Sequence, residues 1–178
     1  WSGEGSSNPE SALKTLVSRL RVILAQVSPA LAACIVTERG SYRWVTQPGV
    51  SIDLYEFEEL EKRLSTCTEL TEESRRDYQR ALSLYGGNLL QGSEEEWALS
   101  RSATLHASYL KLVYQYLTLL KAAERYNEII DVCRAALDVD AFDETLHLQL
   151  MNALVKTCRN HEALMQYKHV TNLHFRYL

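Results

Sequence analysis

Arg125-Tyr126-Asn127-Glu128-Ile129-Ile130 returns 34 residues later as Arg159-Asn160-His161-Glu162-Ala163-Leu164, with charged and apolar positions in the same order. The same shift carries Leu112 onto Leu146, Tyr116 onto Leu150 and Leu120 onto Leu154 in the preceding segment. Apolar character survives the shift better than residue identity does. That pattern belongs to a repeated pair of helices, each pair offering one apolar face to the next. Breaks at Glu124-Arg125, across Asp138–Asp143 and at Cys158-Arg159 bracket the units. Helices are therefore expected over 94–121, 125–138, 143–157 and 160–177.

Upstream of the repeat the same periodicity predicts helices over 53–66 and 71–85, separated from the next by Gly86-Gly87-Asn88. Thr71-Glu72-Glu73 and Asp143-Glu144 read as capped helix starts. The run Glu94-Glu95-Glu96 suits the positive end of a helix dipole. Gln47-Pro48-Gly49 is the clearest boundary in the chain. The expected fold is mainly α: residues 49–178 form tetratricopeptide-like stacked helical hairpins, and residues 1–48 form a separate head.

The head reads differently. Residues 1–8 are loop-like, and Asn8-Pro9-Glu10 is a strong helix start, by capping, by a fixed first turn and by charge. A helix over about 9–26 would carry the apolar stripe Leu13, Leu16, Val17, Leu20, Leu24 and Val27. Ser28-Pro29 breaks it. Its opposite face holds Ser11, Lys14, Thr15, Ser18 and Arg21, with Arg19 at the edge and no carboxylate after Glu10. Leu13, Val17 and Leu20 are expected to be covered, and Lys14, Ser18 and Arg21 to face solvent. Two β-prone runs follow, Ile35-Val36-Thr37 and Tyr42-Arg43-Trp44-Val45, joined through Glu38-Arg39-Gly40-Ser41 as a four-residue loop. The hairpin over about 35–45 would display Arg39 and Arg43. By periodicity alone, such a helix reads more simply as an ordinary amphipathic one with a solvated basic face.

Charge is split along the chain. Lys14, Arg19, Arg21, Arg39 and Arg43 against Glu4, Glu10 and Glu38 leave residues 1–50 at +2, and the rest at −6 of a net −4. A basic head on an acidic body suits DNA at one end and protein partners at the other. Cys34, Cys67, Cys133 and Cys158 lack the close spacing of a metal knuckle or redox pair, and read as single small hydrophobes in a reducing compartment. His169 and His174 are five apart, off the register of a helical metal pair, and His147 stands among leucines. No phosphate loop, serine elbow or convincing carboxylate pair is present. Catalytic residues, metal sites, cofactors and a membrane span are not expected. The tyrosines Tyr109, Tyr114, Tyr116, Tyr126, Tyr167 and Tyr177 are expected to fill the inter-helix core, some of them lining a concave groove.

Three segments together resemble the antibiotic-regulatory type of bacterial transcriptional activator. Ser11–Arg21 resembles its recognition helix, and Ile35–Arg43 resembles the wing hairpin. Asp53-Leu54-Tyr55-Glu56-Phe57 resembles the start of its bacterial transcriptional activator domain, continued through Tyr85-Gly86-Gly87-Asn88-Leu89-Leu90 and Trp97. The resemblance implies the C-terminal part of a winged-helix domain, with Lys14, Thr15, Ser18, Arg19, Arg21, Arg39 and Arg43 as DNA-binding residues. It implies double-stranded promoter DNA as partner of the full-length protein. It also implies protein contacts of the helical body with a second copy, RNA polymerase or another regulatory protein, in a bacterial cytoplasm. The small sheet and two helices that open the family's winged helix are not in this sequence, and Trp1 stands first rather than Met, so the chain is expected to continue upstream. A second departure is Ser102, where the family often has Arg; Arg101 stands one place earlier. The competing reading is a tetratricopeptide scaffold that binds peptides and never touches DNA.

Overall fold

A computed structural model describes residues 8–177, with the side chains of His174, Arg176 and Tyr177 outside the description. The loop expected at the extreme N-terminus thus lies almost wholly outside the described residues. Eight helices and one hairpin appear among them: α1 Pro9–Val27, α2 Pro29–Ala33, β1 Ile35–Glu38, β2 Ser41–Trp44, α3 Asp53–Leu64, α4 Glu72–Leu84, α5 Glu96–Ala122, α6 Tyr126–Val139, α7 Glu144–Lys156 and α8 Asn160–Tyr177. Contacts divide the chain into two units, residues 1–52 and 53–178. No helix among the described residues is long and apolar enough to cross a membrane.

In the first unit, Asn8 caps α1 by accepting the Ser11 amide at 3.1 Å, with Pro9 in the first turn. Ser28 ends α1, its amide bonded to Leu24 O, and its hydroxyl then accepts from the Ala30 amide at the start of α2. The break expected there is thus a restart, because Ser-Pro is also a helix opening. β1 and β2 pair antiparallel, Ile35 with Trp44 through Glu38 with Ser41. The connection is two residues, not the four expected. Arg39 and Gly40 both take positive φ, 49° and 81°, the twist that lets a tight turn match the right-handed strands.

The second unit is a succession of helices in which each packs on the next. Its core runs from Phe57, Leu60 and Leu64 of α3 through Tyr78 and Ala81 of α4 to Leu112, Tyr116 and Leu120 of α5. It continues into Ile130 and Cys133 of α6 and Leu146, Leu150 and Leu154 of α7. Thr71 and Ser74 cap α4 reciprocally, amide to hydroxyl in both directions. Gln115 donates to Leu64 O and Cys67 O, tying α5 to the turn where α3 ends. The acidic run plays a smaller part than expected: α5 begins at Glu96, Glu95 makes no side-chain cap, and Glu94 stays outside.

The repeat is visible atom by atom at two joints. Glu124 and Cys158, 34 residues apart, both take positive φ (54° and 59°) just past a helix. The next amide bonds back in each case, Arg125 N to Leu120 O at 2.9 Å and Arg159 N to Leu154 O at 2.8 Å, the six-to-one bond of a Schellman cap. Each arginine then pairs with a glutamate three residues on, Arg125 with Glu128 and Arg159 with Glu162. Ser102 has a local reason to be small. It is buried, accepts the Leu89 amide and donates to Asn88 Oδ1, pinning the 86–92 loop to α5, while Arg101 pairs with Glu58.

Candidate functional site

Two surfaces have the chemistry to bind a macromolecule: the basic elements of the first unit and a groove in the second. In the first, Ser11, Lys14, Thr15, Ser18 and Arg19 are exposed on α1. Lys14 donates to Glu10 at 2.7 Å, one turn back, and the pair lowers the Glu10 pKa and raises that of Lys14. The Thr15 hydroxyl bonds back to Ser11 O. Arg39 stands exposed at the hairpin turn, and Arg43 pairs with Glu38 across the strands at 2.8 Å.

Arg21 departs from the solvent-facing role expected of it. It is half-buried, and its guanidinium donates to Ile35 O at 3.2 and 2.8 Å and to Thr37 Oγ1 at 2.9 Å. It also lies 6.0 Å from the centre of the Tyr42 ring. Arg21 is therefore a clamp between helix and hairpin. The apolar stripe also departs from expectation. α1 has no buried residue, and Leu13, Leu16, Leu20 and Val27 are 41–76% exposed. The physical reason is angular. The side of α1 half-covered in this structure carries Val17, Arg21, Leu24 and Ser28, one flank of the stripe, and the middle of the stripe stays bare.

The clamp carries a prediction. Arg21→Ala removes charge-assisted bonds to a strand carbonyl and should cost about 1–3 kcal/mol of local stability. Amide exchange in Ile35–Trp44 should speed by tenfold or more while α5 and α6 stay protected. Unchanged exchange would mean the ladder alone holds the hairpin.

In the second unit a groove of about 390 Å³ opens between α4, α5 and α6. Tyr85, Tyr109 and Tyr116 form its aromatic wall, Leu82, Val132 and Val139 its apolar rim. Tyr85 and Tyr109 stack at 4.4 Å, and Tyr78 and Tyr116 at 4.7 Å with planes 7° apart. Burial pushes the Tyr109 and Tyr116 phenols up to about 12. Of the tyrosines read as core or groove, Tyr109 and Tyr116 are both at once. Tyr114 is half-buried and donates to Asp143, the cap of α7, in a very short bond. Tyr167 is exposed. Tyr78 and Tyr85 were missed, although Ser74, Tyr78, Ala81 and Tyr85 at helical spacing mark the inner stripe of α4.

The histidine and cysteine readings have local answers. His147 is buried, with Nε2 3.0 Å from Ala141 O and Nδ1 2.7 Å from the Gln166 amide nitrogen, so it ties α7 to α8. Among the described residues no three His, Cys, Asp or Glu side chains gather as a metal site. All four cysteines are free: Cys34 and Cys133 are buried, Cys67 is half-buried, and Cys158 is exposed.

No curated protein matches the chain. The family model of the bacterial transcriptional activator domain matches residues 52–175, well over half of the sequence and nearly all of the helical unit. That family is regulatory rather than enzymatic, and its match carries a function of the transcription-activator type. On that match over the succession of helices, this chain belongs to the bacterial transcriptional activator domain family.

Proposed function

We propose that the protein is a DNA-binding transcriptional regulator, in which residues 1–48 supply a recognition helix and wing and the helical body makes the protein contacts. The observation that carries this reading is the first unit: one helix that exposes Ser11, Lys14, Thr15, Ser18 and Arg19, clamped by Arg21 to a hairpin whose turn displays Arg39. Lys14, Thr15, Ser18 and Arg19 would meet base edges and phosphates in the major groove, and Arg39 and Arg43 the flanking backbone or minor groove. Arg21 would serve by fixing the wing. The bare stripe Leu13, Leu16, Leu20 and Val27 is the face that the remaining helices of a winged-helix domain would cover. The body would reach a second copy, RNA polymerase or another regulatory protein through its groove, in a bacterial cytoplasm.

The gene upstream of Trp1 gives the first test. Short strands and two helices there fit the proposal, and further helical repeats would replace it with a peptide-binding scaffold. The second test is fluorescence anisotropy of that longer protein on duplex DNA over a salt series. Lys14→Ala, Arg19→Ala and Arg39→Ala should each weaken binding and lower the salt slope by about 1, one phosphate contact apiece. Absence of binding at low salt would remove DNA from the function.

A further inference from the structure

The groove wall continues beyond its aromatic part. Tyr85 is shared with a second cavity of about 290 Å³ that runs to Asp53, and Val139 with a third of about 420 Å³ beside Asp138 and Asp140. Gly86, Gly87 and Asn88 line both of these flanking cavities, so the three cavities adjoin through shared residues as neighbouring stretches of concave surface. Asp53, Glu128, Asp131, Asp138 and Asp140 line them, and among the described residues His106 is the one basic side chain of that lining. These carboxylates are not equivalent. Glu128 is already paired with Arg75 at 3.3 Å and with Arg125 at 2.5 Å. Asp140 stands 3.7 Å from His106 and accepts the Phe142 amide. Asp131 is felt by Arg159, yet it and Asp138 are exposed, on either side of Val132 and Ala135. The Asp138 charge reaches the wall itself, adding to the upward shift of the Tyr109 phenol.

We infer that this concave face binds a cationic peptide segment, with arginine or lysine set between apolar residues. The apolar side chains would lie against Leu82, Val132 and Val139, and a guanidinium or ammonium would lie over the tyrosine rings within reach of Asp131 and Asp138. An acidic segment would meet the exposed Asp131 and Asp138 beside the apolar rim, since Arg75 and Arg125 are already engaged by Glu128. The inference rests on the reading that the helical body makes the protein contacts, and it names the chemistry of what is contacted.

The test uses the whole chain and three fluorescein-labelled helical peptides that differ only at their polar positions: arginine-leucine, glutamine-leucine and glutamate-leucine. The arginine peptide is expected to bind at least tenfold more tightly than the glutamine peptide, and the glutamate peptide not at all. Asp131→Lys with Asp138→Lys should weaken the arginine peptide tenfold or more. The control pair Glu59→Lys with Glu69→Lys, of equal charge change outside the groove, should alter it less than twofold. Asp131→Asn with Asp138→Asn, which adds no new charge, should fall between and guards against misfolding of the reversed variant. Equal weakening by the control pair would reduce the binding to net charge and overturn the inference. Equal affinity for the glutamine peptide would overturn it too, while leaving the groove as a protein contact. Failure of all three peptides would overturn both.

Discussion

Alanine at position 116 is expected to destabilise the helical unit by about 3–5 kcal/mol, read from the urea midpoint of helical circular dichroism. Tyr116 is fully buried at the crossing of α4, α5 and α6, its ring stacked on Tyr78 and its hydroxyl directed at Glu128 from 3.4 Å. Truncation removes a whole aromatic ring that its neighbours cannot collapse to replace, and leaves Tyr78 without its stacking partner. A domain of this size has about 5–15 kcal/mol in all, so the variant should sit near the edge of folding. Tyr116→Phe separates packing from polarity. It deletes one long hydrogen bond, while Arg75 and Arg125 still hold Glu128, and should cost only about 0.5–1.5 kcal/mol. Similar losses in the two variants would mean that the hydroxyl, not the ring, supports this crossing.

Alkaline pH should unfold the same region steeply. Burial raises the phenols of Tyr109 and Tyr116 from 10.0 to about 12 and the Cys133 thiol from 9.0 to about 12. It pushes Tyr78, Tyr85 and Tyr114 upward as well, Tyr114 with the added effect of its bond to Asp143. In each case the folded state favours the neutral form. The associated stability is thus complete below the unfolded values of 9 to 10 and drains away as pH climbs toward 12. Tyr109 and Tyr116, both well buried, are each worth on the order of 1–3 kcal/mol by that limit. Several act together, so tyrosinate absorbance and helical circular dichroism should change in one cooperative step between about pH 10 and 12. Tyrosinate forming gradually while the helices persist would show that these rings are reached by water in the native state.

The helical body was legible because its pattern is redundant. Arg125 with Glu128 and Arg159 with Glu162 mark equivalent joints, and the apolar positions of each helix repeat every turn, so all six helices fall within two residues of expectation. The head was legible only locally. Its helix and hairpin could be read from Asn8-Pro9 and from alternating β-prone residues, but the partner of Arg21 could not. Whether an arginine on a helix flank meets solvent or a strand carbonyl depends on where the hairpin lies, and periodicity carries no such information. The groove shows the same boundary. Tyr109 and Tyr116 were identifiable as inner residues, whereas Tyr85 becomes groove wall only through stacking on Tyr109, a contact between helices. Ser102 is the reverse case, since a departure from family habit is explained by the loop it holds.

The paired Schellman joints at Glu124 and Cys158 carry an evolutionary consequence. Each joint brings its own stop signal, its own return bond and its own arginine–glutamate latch within a few residues, to which a second arginine from an earlier helix is added in each case, Arg75 at Glu128 and Arg134 at Glu162. A gene segment of that period, duplicated in frame, would arrive with its hinge already assembled and would need only an apolar face to dock. Length in such a lineage can change by whole hairpins, without a founding core having to be redesigned.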